Sequence, residues 1–166
     1  MNAKENVINY LNENAIPYEL LDHEPIFTIA QLNTMDDYQD KEKVAKNLFL
    51  RNDSGNRHYL VLVRGDKTVN LKDLRQQIGS SRLGFASEDR LMKHLKITKG
   101  SVSPLGIIND VTRRIPVLID RDLASEDKIG VHPNINSTTL WMSHDNIVKA
   151  IEAHGNEVIH VDVPSL

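Results

Sequence analysis

The stretch Val44-Ala45-Lys46-Asn47-Leu48-Phe49-Leu50-Arg51-Asn52 is followed, across Asp53-Ser54-Gly55-Asn56, by His58-Tyr59-Leu60-Val61-Leu62-Val63-Arg64. Both runs are rich in the aliphatic, branched and aromatic side chains that suit a pleated surface, and the residues between them favour a turn. Residues 44–64 therefore predict an antiparallel hairpin. Further along the chain, Leu71–Ile78 reads as a helix stopped by Gly79. A short strand is expected near Leu83–Ala86, and Ser87 can cap a helix running to about Leu95. Gly100–Asp110, with two Gly and a Pro, reads as a loop, and Ile115–Asp120 as a strand. Residues 137–142 read as another strand, Ser143 caps a helix ending at Gly155, and Glu157–Val163 makes a final strand. Towards the N-terminus, residues 3–14 carry Val7, Tyr10 and Leu11 at helical spacing, and Pro17–His23 reads as a strand. Thr28-Ile29-Ala30-Gln31 has the spacing of a capping box opening a short helix closed by Asp36-Asp37. Strands arise both as a hairpin and singly between helices, which predicts an α+β (mixed α/β) fold: one domain over residues 1–166, a mixed β-sheet with packed helices.

A chain of 166 residues buries roughly 70% of the surface its unfolded form exposes, so it needs no covalent staple. It contains no cysteine, which removes disulfides, thiolate zinc sites, iron–sulfur clusters and a thiol nucleophile together. The chemistry must come from Lys, His, Asn, Ser, Asp, Glu or the backbone. The polar opening MNAKENVINYLNEN lacks the apolar centre of a signal peptide, and no run approaches the roughly 18 apolar residues of a membrane span. A cytoplasmic protein without membrane contact is expected. The net charge of −3 conceals an uneven distribution. Residues 1–40 hold one Lys against eight acids, residues 41–100 fourteen Lys and Arg against six, and residues 101–166 five against nine. The basic middle third suits a polyanion, and equally a solvated surface of mixed charge.

Three places could carry chemistry. Lys46 interrupts an apolar strand in which Val44, Leu48 and Leu50 share its face, so it is either a functional amine or one that snorkels to water from an edge. Asn47 points to the other face of a regular strand. Gly100-Ser101-Val102-Ser103-Pro104-Leu105-Gly106 lets backbone approach a ligand closely and could aim amides at an oxyanion; by spacing alone it is equally a plain connection. His132, held extended by Pro133 and followed by Asn134, Asn136, Ser137 and Thr138, is a site histidine or a structural one. There is no HExxH or other metal-ligand spacing, no GxSxG elbow, no phosphate-binding P-loop and no paired arrangement of acids that argues for glycosidase chemistry. No metal or cofactor is expected.

Taken together, these places resemble the prolyl-tRNA editing family, the YbaK-like aminoacyl-tRNA deacylases related to the editing domain of bacterial prolyl-tRNA synthetases. The matching segments are His23-Glu24-Pro25-Ile26-Phe27-Thr28, Ala45–Leu50, Gly100–Asp110, Val131-His132-Pro133-Asn134 and Asn136–Thr139. They occur in family order, and the resemblance spans about Val7 to Ile151. The Lys46-Asn47 pair, the Gly100–Asp110 segment and His132-Pro133 look like the alanine-specific branch. Where the family often has F-H-P-L, this chain has Val131-His132-Pro133-Asn134.

The resemblance implies a YbaK-like editing fold and a trans-editing hydrolase that deacylates mischarged tRNA for proline, with alanine as the expected ester. A cysteine-specific deacylase of the same fold and a non-catalytic tRNA-binding or regulatory module are the alternatives. It implies that Lys46 holds the terminal phosphate or ribose and that Asn47 hydrogen-bonds the substrate. Gly100, Ser101, Val102, Ser103, Pro104 and Gly106 would supply backbone groups around the scissile carbonyl and water. His132 would bound the amino-acid pocket, with Phe27 and Thr28 as further wall candidates. The partner implied is the aminoacylated acceptor end of tRNA, with prolyl-tRNA synthetase a candidate second partner and no role for DNA.

Overall fold

A computed structural model describes residues 2–24 and 44–164. The chain opens with α1 (Ala3–Glu13), capped by Asn2, whose side chain accepts from the Glu5 amide. β1 (Glu19–Asp22) follows, shorter than the strand expected over Pro17–His23. The hairpin expected over residues 44–64 is formed by β2 (Ala45–Arg51) and β3 (His58–Arg64), paired from Ala45↔Arg64 to Arg51↔His58. α2 (Leu71–Ile78) ends on Gly79, whose φ of 67° is the left-handed conformation that a Cβ disfavours. β4 (Gly84–Phe85) leads into α3 (Glu88–Leu95), capped by Ser87 accepting from the Arg90 amide. The remaining elements are β5 (Val117–Asp120), β6 (Ile129–Val131), β7 (Thr138–Met142), α4 (His144–His154) and β8 (Val158–Val161).

The strands form two sheets where one was expected. Five lie in the order β4-β2-β3-β5-β8, antiparallel around β2 and parallel from β3 through β5 to β8. Three more form an antiparallel sheet in the order β1-β7-β6. Among the described residues, a parallel bridge, Val44↔Gly130, joins the sheets. β6 was not anticipated: its three residues, Ile-Gly-Val, give no periodicity to read, and its partner in the sheet is β7.

The central strand β3 is buried along its length except at Arg64, as expected of a strand covered on both faces. One face, with Leu60 and Leu62, joins Val7 and Leu11 of α1, Leu91 and Leu95 of α3, Ile147 and Ile151 of α4, and Leu140 of the small sheet. The other, with Val61 and Val63, packs with Leu74 of α2, Leu118 and Val161. Each fully buried Leu or Val contributes about 1.5–3 kcal/mol relative to exposure.

The fully buried lysine is not Lys46 but Lys67, whose side chain is 1% exposed. Its ammonium contacts Asp120 at 2.8 Å and Asp122 at 2.6 Å and donates to the Val163 carbonyl at 2.7 Å. Desolvation opposes the charge, yet the two carboxylates outweigh it and raise the Lys67 pKa.

Candidate functional site

The pairing of β2 with β3 settles which way the Lys46-Asn47 pair faces. Asn47 pairs with Leu62 and Lys46 with Val63, so cross-strand neighbours put Asn47 on the face shared with α1, α3 and α4 and Lys46 on the face covered by α2. Lys46 is half-buried, and its amine donates to the Lys67 carbonyl at 3.0 Å. The Asn47 Oδ1 is buried and has no hydrogen-bond partner among the described residues. Leaving such an acceptor unpaired costs about 1–3 kcal/mol.

The Gly100–Asp110 stretch, expected as an open loop, is mostly two 3₁₀ turns, Lys99–Ser101 and Pro104–Asn109. The reason is local. Ser103 caps the second turn by accepting from the Leu105 amide at 3.1 Å, and Pro104 occupies a first-turn position where its missing N–H is not needed. Ser101 and Ser103 are buried at 6% and 0% exposure, Pro104 is buried, and Val102 is half-buried. Gly106 is closely packed: a Cβ there would sit 3.1 Å from Ile97 Cδ1. Leu105 and Ile107 anchor the segment in the same core that Asn47 faces.

Ser103 also ties this segment to His132, because its hydroxyl donates to the His132 carbonyl. The His132 ring follows β6, and its Nδ1 lies 3.2 Å from the Thr138 carbonyl. A carbonyl only accepts, so Nδ1 carries the proton and Nε2 presents a lone pair. Burial pulls the imidazole pKa below its ordinary value, the Thr138 carbonyl opposes this, and nearby His23 adds to the lowering. The ring is therefore neutral near pH 7. His23 itself reaches the small sheet, its Nε2 2.8 Å from Thr139 Oγ1.

Asn134 went unremarked as a site residue at the sequence level. It adopts a left-handed backbone at φ 61° and is 5% exposed, with Nδ2 donating to the Leu105 carbonyl at 3.4 Å and Oδ1 buried without a partner among the described residues. The signal was its position: a polar residue directly after His132-Pro133, where the family often places Leu. The structure thus ties the Gly100–Gly106 segment to His132 and Asn134 through hydrogen bonds, and places Asn47 on that core face. The Lys46 amine leaves from the opposite face. Phe27 and Thr28, and the helix expected to open there, lie outside the described residues. Among the described residues, no group of three or more His, Asp or Glu is arranged to hold a metal ion, and no helix is long and apolar enough to cross a membrane.

Residues 23–150 match the family model described as "Aminoacyl-tRNA editing domain". The chain is 44% identical over 156 residues to the prolyl-tRNA editing protein ProX of Acetoanaerobium sticklandii, covering 94% of each. It is 31% identical over 150 residues to prolyl-tRNA synthetase associated domain-containing protein 1 of Mus musculus, covering 87% of each. In fold it resembles a crystal structure described provisionally as a trans-editing enzyme for prolyl tRNA synthetase, with a TM-score of 0.74 over 100% of this chain and 99% of that one at 17% identity. With its motifs in order and most of its length matched, the chain belongs to the aminoacyl-tRNA editing domain family.

Proposed function

We propose that this aminoacyl-tRNA deacylase acts in trans on mischarged tRNA for proline and that its ester is chiefly that of alanine. A proline-activating site cannot exclude alanine by size, and each missing methylene is worth only about 1–3 kcal/mol of discrimination. A second site with the opposite size rule, admitting alanine and rejecting proline, corrects the error by hydrolysis.

An aminoacyl ester is already activated towards water, so the protein need only position it, stabilise the oxyanion and orient the water. In this reading, Gly100, Ser101, Val102, Ser103, Pro104 and Gly106 form the wall around the scissile carbonyl. His132 bounds the amino-acid pocket, its Nε2 lone pair available to a water or to the substrate's ammonium. The unpaired Asn47 Oδ1 accepts a hydrogen bond from substrate. An ammonium has three donors, so Lys46 retains two after bonding the Lys67 carbonyl, and they serve the terminal phosphate or ribose. Phe27 and Thr28 complete the wall. Residues 1–166 act as one editing unit in the cytoplasm, with prolyl-tRNA synthetase as the partner that releases its substrate.

The observation that carries this reading is the Ser103 to His132 hydrogen bond, which couples the glycine-bearing segment to the histidine proposed to size the pocket. The test compares deacylation rates of alanyl-, cysteinyl-, seryl- and prolyl-esters on one tRNA for proline. Fastest release of alanine with prolyl ester spared supports it. Fastest release of cysteine assigns the enzyme to the other branch, and no turnover of any ester leaves a binding module.

A further inference from the structure

Asp110, at the end of the Pro104–Asn109 turn, is a buried carboxylate with no part in the chemistry above. It is 2% exposed and fully engaged. Oδ1 accepts from the Thr112 amide at 3.1 Å and from the Thr112 hydroxyl, and Oδ2 from the Ile115 amide at 3.1 Å and Asn156 Nδ2 at 3.0 Å. Burial alone would raise its pKa, but these hydrogen bonds outweigh it and hold the carboxyl below its ordinary value. The clamp closes a tight loop whose middle residues have no inward path, so Arg113 and Arg114 are thrust into solvent.

The loop is strained as well as clamped. Arg113 has φ 57°, a left-handed conformation that a residue with a Cβ disfavours. Its side chain crosses Gly155, where a Cβ would lie 2.9 Å from Arg113 Cδ. From the hairpin turn Arg57 meets the same place, and the three arginines line a groove of about 450 Å³ with Tyr59 and Glu157. No guanidinium among the three makes a hydrogen bond or ion pair with any described residue, Glu157 included. Tyr59 is only 7% exposed, and its hydroxyl likewise has no partner among the described residues.

Three unpaired guanidinium forks and a phenol around one concavity, against one carboxylate, match phosphate oxygens. The groove's place argues for a polymer. Tyr59, Pro116 and Glu157 put it at the leading ends of β3, β5 and β8, and Tyr59 belongs to the α2 face. Asn47 sits opposite Leu62, three residues further along β3, and on the other face. At about 3.3 Å per residue the two places are roughly 10 Å apart along the strand, with the sheet between them. The groove thus lies apart from Asn47, along the strand and on the other face, where a stretch of a longer polyanion can lie while its end sits elsewhere.

We propose that Arg57, Arg113, Arg114 and the Tyr59 hydroxyl grip the phosphate backbone of the tRNA body while its acylated end occupies the editing pocket, and that the Asp110 clamp exists to present the two loop arginines. This rests on the editing reading, and its test separates the two. The full chain and the variant Arg57→Gln/Arg113→Gln/Arg114→Gln are titrated with uncharged tRNA for proline across a salt series, then assayed on the mischarged tRNA. Each lost phosphate contact flattens the log–log salt dependence by about 0.7–0.9, so the triple variant should show a slope shallower by roughly 2–3 and a KM raised roughly tenfold or more at low salt, with kcat retained. The Arg→Lys triple, which keeps the charges, should keep the slope. Unchanged affinity and slope in the Gln triple would overturn the groove, as would an equal loss of kcat. Absence of turnover by the unaltered protein would instead remove the editing reading, while the uncharged-tRNA titration still decides the groove.

Discussion

Replacing His58 by Gln should change how the protein's stability responds to acid. His58, at the start of β3, is 8% exposed; its ring stacks on Phe49 with centroids 5.3 Å apart and lies 4.2 Å from the His94 ring. Its Nε2 is 3.2 Å from Arg90 Nη1. A guanidinium can only donate, so Nε2 accepts, and protonating it would break that bond and set two cations together. Burial first, then the positive neighbours His94, Arg90, Arg51 and Lys93, lower its pKa from 6.5 to about 4. Between those values the unfolded chain holds a proton that the folded chain refuses, so stability is complete above pH 6.5 and is lost as the pH falls towards 4. At about 1.4 kcal/mol per pH unit the loss by pH 4 is roughly 3 kcal/mol. Gln keeps an acceptor for Arg90 and does not titrate. It forfeits the ring stacking, about 0.5–1.5 kcal/mol, equally at both pH values. The assay is urea unfolding of both proteins at pH 7.5 and pH 4. With an m-value of about 2 kcal/mol/M, the midpoint of the unaltered protein should fall about 1.5 M further than that of His58→Gln. Parallel shifts in the two proteins would refute the assignment of a buried, neutral His58.

Lys46→Ala should reduce kcat/KM for alanyl-tRNA by roughly 10²-fold or more with an unaltered circular dichroism spectrum, and undiminished turnover would remove the amine from the mechanism. His132→Ala should enlarge the pocket and let prolyl ester be hydrolysed; unchanged selectivity in a side-by-side deacylation assay would end its sizing role. Lys67→Met leaves Asp120 buried and uncompensated, so chemical denaturation should register a loss of about 3–5 kcal/mol, much of it recovered in Lys67→Met/Asp120→Asn. Gly130→Ala would drive a methyl to 2.9 Å from Trp141 Cζ3, and overpacking of about 1–3 kcal/mol should appear in unfolding together with a shift in the emission of this lone tryptophan.

Elements with local signals were legible in the sequence. The hairpin announced itself through two β-rich runs around a turn, α2 through Gly79, and α3 and α4 through Ser87 and Ser143, each of which caps as expected. β6 was not, because a three-residue strand containing Gly130 exists only through its pairing with β7 and the close seat of Trp141. Nor was the division into two sheets, because which strands pair is decided between residues far apart in the chain, as in β1 with β7. The burial of Lys67 was hidden because its partners Asp120, Asp122 and Val163 lie 53, 55 and 96 residues away. For the candidate site, the motifs singled out Lys46, Asn47, His132 and the Gly100–Gly106 segment. The opposite faces taken by Lys46 and Asn47 followed from the two-residue period, whereas the Ser103 to His132 bond and the unpaired Asn134 oxygen required the fold. The arginine groove was invisible for the same reason as Lys67, since residues 57, 113 and 114 converge from separate turns.

The lone bridge between Val44 and Gly130 has a bearing on how such an enzyme can change its diet. His132 follows the smaller sheet and Asn47 lies on the larger, and where the sheets meet the Trp141 ring and a Val44 methyl press against Gly130. Among the described residues, one backbone bridge fastens that seam. If the proposed pocket lies between the sheets, altering the bulk at this seam would shift one sheet against the other without tearing either ladder of strands, giving descendants of this chain a route to neighbouring amino acids.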